Sequence, residues 1–105
     1  MSRSTPAILA LPPQATKALA AFGEHLRIAR QRRGESLRSW SSRCGISVPT
    51  LQRLEAGDPS VGMGAYATVL WLVGKAQTLS QIAQPQSDEE ALTREIERTT
   101  RRRRR

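Results

Sequence analysis

Residues 36–57 read SLRSWSSRCGISVPTLQRLEAG, a pattern typical of two short helices joined by a tight turn. Ser36 is the predicted N-cap of the first helix, because a serine hydroxyl accepts a hydrogen bond from an otherwise unpaired backbone N–H. Gly45 ends that helix, since glycine adopts the positive φ that helix C-termini favour. Ser47 is the second N-cap, and Pro49 lies in the first turn, where its missing N–H does no harm. These signals predict two consecutive helices with a tight turn between them.

The apolar residues of this stretch recur at helical spacing. Leu37, Trp40 and Cys44 fall on one face of the first helix, and Leu51 and Leu54 give the second helix an inward face. The second helix is too short to bury much surface by itself. Its outward residues therefore indicate a surface that binds another molecule. The arrangement fits a helix-turn-helix unit, whose second helix enters the major groove of DNA.

The distribution of charge also points to nucleic acid. The formal net charge is +8, and seven arginines but only one acid, Glu35, fall between Arg27 and Arg53. Five further arginines form the run at residues 101–105. A positive patch beside a groove-reading helix supplies the sequence-independent part of DNA affinity by releasing counterions from phosphate. The alternative is that these arginines only solvate helix surfaces.

Composition disfavours several other classes of protein. No stretch approaches the roughly 20 apolar residues of a membrane span, and the N-terminus lacks the apolar core of a secretory signal. We therefore expect a cytoplasmic, nucleoid-associated protein with no membrane partner. The single cysteine, Cys44, and the single histidine, His25, cannot supply a disulfide, a cysteine-based zinc site or an oriented catalytic pair. We predict no enzyme activity, no metal and no cofactor.

The chain is predicted to have three parts. Residues 1–14 form a mobile arm, residues 15–84 the DNA-binding domain, and residues 85–105 a C-terminal helix with a poly-arginine tail. Within the domain, apolar spacing predicts one helix before the central stretch, over residues 16–33, and another after it, over residues 63–73. A fifth, short helix is expected just before Pro85.

The C-terminal part has its own helix signals. Ser87 and Glu90 have the spacing of a capping box, and Leu92 and Ile96 support a helix that reaches about Thr99. The arginine run after it repels itself and is expected to be disordered when free. Two interpretations of that run stay open, a solvated tail and a phosphate-binding tail.

The segment GESLRSWSSRCGISVPTLQRLEAGDP resembles the Xre, or Cro/cI-type, DNA-binding domain of bacterial and phage regulators. The usual pattern is roughly G-x-S-Q-x-x-L-A-x-x-x-G-[VI]-S-x-x-T-[IL]-S-R-[LI]-E-x-G. The likeness is close from Gly45 to Gly57 and looser in the first helix. There Leu37 stands in place of glutamine, Trp40 of leucine and Ser41 of alanine. The resemblance implies an all-α, five-helix Cro/cI (lambda-repressor-like) domain that binds operator DNA.

The resemblance also implies site residues. Arg53 is the best candidate for guanine, because its guanidinium fork fits the O6/N7 edge. Arg38 and Arg43 would hold the DNA backbone, which sets register but carries no sequence information. Arg30 and Glu55 would form a buried structural ion pair between the first helix and the recognition helix. The full set of predicted DNA contacts is Ser36, Arg38, Arg43, Ser47, Val48, Pro49, Thr50, Gln52 and Arg53.

Two subunits of such regulators meet at the C-terminal end of the domain. The helix over residues 63–73 is apolar nearly all round, which is typical of a helix that is buried or meets another chain. The resemblance therefore implies a homodimer, and the alternative is that Trp71 belongs to the core of its own chain. The predicted dimer contacts are Tyr66, Leu70, Trp71, Leu79 and Ile82.

Three further strings, GDPSVGMGAY, LWLVG and IAQPQSDEEAL, resemble the HipB-like branch of this family. Its members are antitoxins and autorepressors paired with HipA-like serine/threonine kinases. The resemblance implies an autorepressor that is also the antitoxin of a type II toxin–antitoxin pair. The alternatives are a stand-alone Xre-type repressor with no toxin partner and a protein-interaction module.

Overall fold

The computed structural model describes residues 6–104, which are helical and contain no strand. The α-helices are α1 (Pro6–Leu9), α2 (Pro13–Arg32), α3 (Leu37–Cys44), α4 (Val48–Glu55), α5 (Met63–Leu72) and α6 (Glu89–Arg103). Two 3₁₀ helices, Ala76–Gln81 and Pro85–Ser87, connect α5 to α6. None of the helices in this part of the chain combines the length and apolar character needed to cross a membrane. The predicted all-α class is confirmed for the described residues.

Local hydrogen bonds fix the turn between α3 and α4. The Ser36 hydroxyl accepts a hydrogen bond from the Ser39 N–H at 3.0 Å, and the Ser47 hydroxyl accepts one from the Thr50 N–H at 3.2 Å. Gly45 ends α3 with a φ of 70°, a conformation that costs glycine little. Each cap satisfies a backbone group that a helix end leaves unpaired, so both helices begin where the sequence predicts.

The core lies where α2, α3, α4 and α5 meet. Its completely buried large side chains are Trp40, Leu51, Leu54 and Val69. At its edge the rings of Phe22 and Tyr66 stack with centroids 5.5 Å apart, which joins α2 to α5. Burying each of these large apolar side chains contributes about 1.5–3 kcal/mol, so the core holds the two short central helices in place.

α2 approaches the end of α4 at backbone distance. A Cβ added to Gly23 would lie 2.6 Å from the Gly57 nitrogen and 2.6 Å from the Leu54 oxygen. Gly57 itself has a φ of +76°, and a Cβ there would lie 2.5 Å from the Cα of Ala20. Only glycine leaves room for this contact, which sets the position of α4 against α2.

Two boundaries differ from the sequence predictions. α2 begins at Pro13 rather than near Thr16, because proline is tolerated in the first turn of a helix, and it therefore starts inside the predicted arm. Residues 1–5 of that arm lie outside the described residues.

In place of the fifth α-helix before Pro85, the chain forms a 3₁₀ helix over Ala76–Gln81, which suits a short connector. The five-helix Cro/cI arrangement thus stays a prediction.

The start and the end of α6 also differ from the predictions. Asp88 is the N-cap, and its carboxylate accepts a hydrogen bond from the Ala91 N–H at 3.0 Å. The expected capping box of Ser87 with Glu90 does not form, because Ser87 belongs to the preceding 3₁₀ helix. Residues 101–103 are helical rather than disordered, as basic side chains favour the C-terminus of a helix. Residue 105 lies outside the described part.

α6 projects from the rest of the molecule. None of its residues is buried. The radius of gyration is 18.5 Å, and the extents are 64 × 32 × 20 Å, whereas a compact domain of ~100 residues has a radius of gyration of ~13 Å. The chain therefore consists of a compact helical body and one helix that stands away from it.

Candidate nucleic-acid interface

The outward side of α4 is a short polar surface on a rigidly held helix. Leu51 and Leu54 on its inner side are completely buried. Gln52 and Arg53 are exposed, and Thr50 is half-buried beside them. The contrast between the two sides places three hydrogen-bonding side chains on one accessible surface, as a groove-reading helix requires.

The N-terminus of α4 combines polar and apolar groups. The Ser47 hydroxyl caps the helix and also donates to Thr50 Oγ1 at 2.9 Å, so it is engaged within the chain. Val48 is half-buried and Pro49 is exposed, next to the cap. A helix N-terminus favours an anion, because its unpaired N–H groups carry partial positive charge.

A buried ion pair holds α4 on α2. Arg30 Nε lies 2.8 Å from Glu55 Oε2, and Arg30 Nη2 lies 3.1 Å from Glu55 Oε1, so the pair is bidentate. Arg30 Nη1 also donates to the Glu35 carbonyl oxygen at 2.8 Å. Both side chains are buried. Such a pair adds little net stability, yet removing one partner costs about 3–5 kcal/mol, so its chief effect here is to fix the orientation of α4.

Glu35 organises a second ionic group beside α3. Its carboxylate accepts hydrogen bonds from Ser39 Oγ at 2.5 Å and from Arg43 Nη1 at 2.8 Å. The Arg43 guanidinium also lies 5.2 Å from the centre of the Trp40 ring. The Ser39 hydrogen bond, followed by the contacts with Arg43, holds the pKa of Glu35 below its usual value. Arg43 is therefore already paired, and a phosphate would have to compete with Glu35 for it.

Sequence reasoning missed this group of residues. The available signal was the isolation of Glu35, the single acid among seven arginines between Arg27 and Arg53. A single acid in so basic a stretch indicates that its carboxylate pairs with a particular neighbouring side chain rather than pointing into solvent.

Ser36 is an exposed capping residue whose polar groups are engaged within the chain, and its contact with DNA stays a prediction. Its N–H donates to Ser39 Oγ at 3.1 Å, and its hydroxyl accepts from the Ser39 N–H. Its carbonyl oxygen accepts from the Trp40 N–H at 3.0 Å. Arg38, in contrast, is exposed and forms no ion pair among residues 6–104. Arg38 and Arg43 are the two arginines of α3 that are predicted to contact the DNA backbone. Of these, only Arg38 has no ion-pair partner in the described part of the chain.

Residues 21–74, just over half of the chain, match the family model described as a helix-turn-helix domain. The chain belongs to this helix-turn-helix family. The matched span begins within α2 and ends just after α5, so it includes the Arg30–Glu55 pair and the whole of α4. No curated protein and no solved structure matches the chain. Family membership and the exposed basic surface together indicate a DNA-binding regulator.

The helix-turn-helix domain buries two of the five predicted dimer contacts. Tyr66 is 3% exposed and Leu70 is 5% exposed, so both belong to the core of their own chain. Leu79 is half-buried and packs against the same core. Trp71 and Ile82 are 66% and 75% exposed. Trp71 and Ile82 are therefore the predicted dimer contacts with the most accessible side chains, and the set of five stays a prediction.

Tyr66 fastens the end of the helix-turn-helix unit to α5. Its hydroxyl donates to the Asp58 carbonyl oxygen at 2.9 Å. Asp58 Oδ1 in turn accepts from the Ser60 N–H at 2.8 Å and from the Ser60 hydroxyl at 2.7 Å. Burial, with a smaller effect of the nearby Asp58 charge, raises the pKa of Tyr66 to about 12. The Ser60 hydrogen bonds hold the pKa of Asp58 below its usual value.

Proposed function

We propose that this protein is a sequence-specific transcriptional repressor that binds operator DNA with α4 in the major groove. The observation that supports this most is the outward placement of Thr50, Gln52 and Arg53 on a helix whose inner side is fully buried. Arginine recognises guanine O6/N7 and glutamine recognises adenine N6/N7, each through two hydrogen bonds. Arg53 and Gln52 thus give α4 the chemistry for direct base readout.

Other residues position α4 in the groove. Arg38 would contact the phosphate backbone, and the start of α4, at Ser47, would approach a second phosphate with its free N–H groups. Val48 and Pro49 present apolar surface next to the polar side chains, which suits the methyl groups of thymine. Phosphate contacts of this kind fix the register in which Arg53 meets a base.

The repressor would act as a homodimer on a palindromic operator. The exposed Trp71 and Ile82 are large apolar side chains near the C-terminal end of the domain, which supports a subunit contact there. A two-fold dimer of helix-turn-helix domains places its half-sites about one helical turn apart, ~34 Å. Occupying the promoter in this way would exclude the transcription machinery.

A variant of Arg53 tests the proposed readout. The operator would first be selected from random-sequence DNA with the parent protein. Arg53→Ala should then lose about 1–3 kcal/mol of discrimination at one base pair in each half-site, with unchanged helical circular dichroism. The matched control is Arg38→Ala, which should weaken binding to all sequences alike. Equal selectivity of Arg53→Ala and parent would refute the placement of α4, and no sequence preference in the parent would favour a protein-interaction module.

The narrower role, antitoxin to a HipA-like kinase, rests on the resemblance of the strings GDPSVGMGAY and LWLVG to the HipB-like branch. Co-expression of the protein with a HipA-like kinase encoded beside it, followed by size-exclusion chromatography, tests this role. We expect the two proteins to elute together and the kinase activity to fall. Separate elution would leave a stand-alone repressor.

A further inference from the structure

An open groove of about 850 Å³ lies on the side of the body formed by α2 and α5. Its apolar lining includes Ile28 and Ala29 of α2 together with Leu70 and Val73 at the end of α5. Three arginine and lysine side chains, Arg32, Arg33 and Lys75, also line it, and all are exposed. Arg33 donates to the carbonyl oxygens of Ala29 and Val73, whereas Arg32 and Lys75 form no ion pair in the described part of the chain. The groove therefore offers apolar surface together with unpaired positive charge.

α6 carries the complementary surface. Leu92 and Ile96, one helical turn apart, are 56% and 58% exposed. At 3.6 residues per turn, Glu89 and Glu95 fall on either side of this apolar pair, and neither is in an ion pair among residues 6–104. The other side of α6 is different, since the Glu90 and Arg94 side chains pair with each other there at 2.6 Å. α6 thus has two different faces. On one, Glu90 and Arg94 neutralise each other; the other combines Leu92 and Ile96 with acids that form no ion pair in the described part of the chain.

We propose that the Leu92–Ile96 face of α6 from a second copy of this chain occupies the groove. Glu89 and Glu95 would then lie against Arg32 and Lys75. The exchange is reciprocal, so each copy supplies one helix and one groove. It rests on the proposed homodimer, but it uses no residue of α3 or α4 and is therefore separate from DNA binding.

Three observations favour a second copy as the occupant. The charges complement each other, because Glu89 and Glu95 of α6 form no ion pair in the described part of the chain, and neither do Arg32 and Lys75 of the groove. α6 stands away from its own body, which leaves it accessible to another molecule. In a two-fold exchange the same contact forms twice, so four large apolar side chains are buried. Both grooves and both copies of α6 are then occupied, and the assembly ends at the dimer. The charge pairs set the register of the helix more than they add affinity.

The first experiment measures the dimer dissociation constant of the full chain by sedimentation velocity. Leu92→Ala combined with Ile96→Ala should raise this constant by at least about tenfold, while alanine preserves the helix. Far-ultraviolet circular dichroism checks that α6 still forms. A parent that stays monomeric at high concentration would overturn both the exchange and the proposed homodimer. A dimer that the double variant leaves unchanged would overturn the exchange alone, because the exposed Trp71 region would then hold the subunits.

The second experiment tests the charge pairing. Arg32→Glu with Lys75→Glu should weaken the dimer, and adding Glu89→Lys with Glu95→Lys in the same chain should restore it. The matched control adds Glu90→Lys with Glu97→Lys instead, because both acids lie away from the Leu92–Ile96 face and the charge change is the same, and it should restore nothing. Rescue by the control as well as by the designed pair would mean that net charge alone governs assembly, which contradicts the specific contact.

The third experiment distinguishes exchange from docking within one chain. The α6 variant, Leu92→Ala with Ile96→Ala, keeps an intact groove, and the groove variant, Arg32→Glu with Lys75→Glu, keeps an intact α6. Mixed together, they should form a heterodimer through one intact contact and dimerise more tightly than either variant alone. A mixture that associates no better than its two components would overturn the proposal.

Discussion

Tyr66 shows how much one side chain contributes to holding this domain together. Its ring stacks on Phe22 of α2, and its hydroxyl bonds the backbone at Asp58, just after α4. The hydrogen bond requires the neutral phenol, and burial raises the pKa of Tyr66 to about 12. The same burial leaves only 3% of the Tyr66 surface exposed.

This raised pKa makes the domain sensitive to alkali. Tyr66 is the only tyrosine of the chain, so tyrosinate absorbance reports it alone. We expect a native midpoint of about 12 and a midpoint near 10 in denaturant. Because the folded pKa is the higher one, the stabilisation is complete below pH ~10 and is lost as the pH rises toward the folded value. Tyr66→Phe should remove that pH dependence while losing about 0.5–1.5 kcal/mol at neutral pH through the missing hydrogen bond. A native midpoint near 10 would contradict the burial of the hydroxyl.

At the scale of elements, the contact of α2 with the end of α4 positions the exposed side chains of α4. The Arg30–Glu55 pair and the backbone approach at Gly23 lie on the same helix-to-helix contact. A shift of α2 would therefore move Glu55 and, with it, the exposed Gln52 and Arg53. In the proposed complex, the accuracy of base readout would therefore depend on Gly23, Arg30 and Glu55 as well as on the side chains that contact the bases.

Gly23→Ala tests that dependence. The new Cβ would lie 2.6 Å from two backbone atoms that cannot move independently, so we expect a loss of about 1–3 kcal/mol in urea unfolding. Gly64→Ala is the matched control. Gly64 lies in α5 with nothing within 4 Å of an added Cβ, and alanine there should add up to ~1 kcal/mol of stability. If the two variants were equally stable, the close approach of α2 and α4 would be disproved.

At the scale of the whole molecule, positive charge is concentrated at two separate places. One surrounds α3 and α4, and the other is the arginine run of residues 101–105, whose described part, residues 101–104, lies at the far end of the projecting α6. The two regions can contact phosphates at different points along a duplex. The run would then add affinity without adding selectivity.

Deleting residues 101–105 should lower the affinity for all DNA sequences alike. The slope of log K against log salt should flatten by about 0.9 for each lost phosphate contact. Replacing the five arginines with five lysines is the control, and it should preserve the slope because the charge is retained. Fluorescence anisotropy titrations at several salt concentrations provide the measurement. A slope that does not change on deletion would mean that the run is solvated.

The sequence by itself determined the features that depend on neighbouring residues. The caps at Ser36 and Ser47 and the left-handed turn at Gly45 involve hydrogen bonds and backbone angles within a few positions, so residue type and spacing suffice to predict them. The inward faces of α3 and α4 follow from 3.6-residue periodicity in the same way. The pairing of Arg30 with Glu55 could be anticipated only through the resemblance to Xre-type domains, because the two residues are 25 positions apart.

Only the tertiary structure decided which surfaces are left free. α5 is apolar nearly all round, so its sequence could not show that Tyr66 and Leu70 face the core while Trp71 faces outward. The close approach at Gly23 likewise joins separate elements, α2 and the end of α4. Such contacts depend on how whole helices pack, and packing is set by the combined shape of all the buried side chains rather than by local spacing.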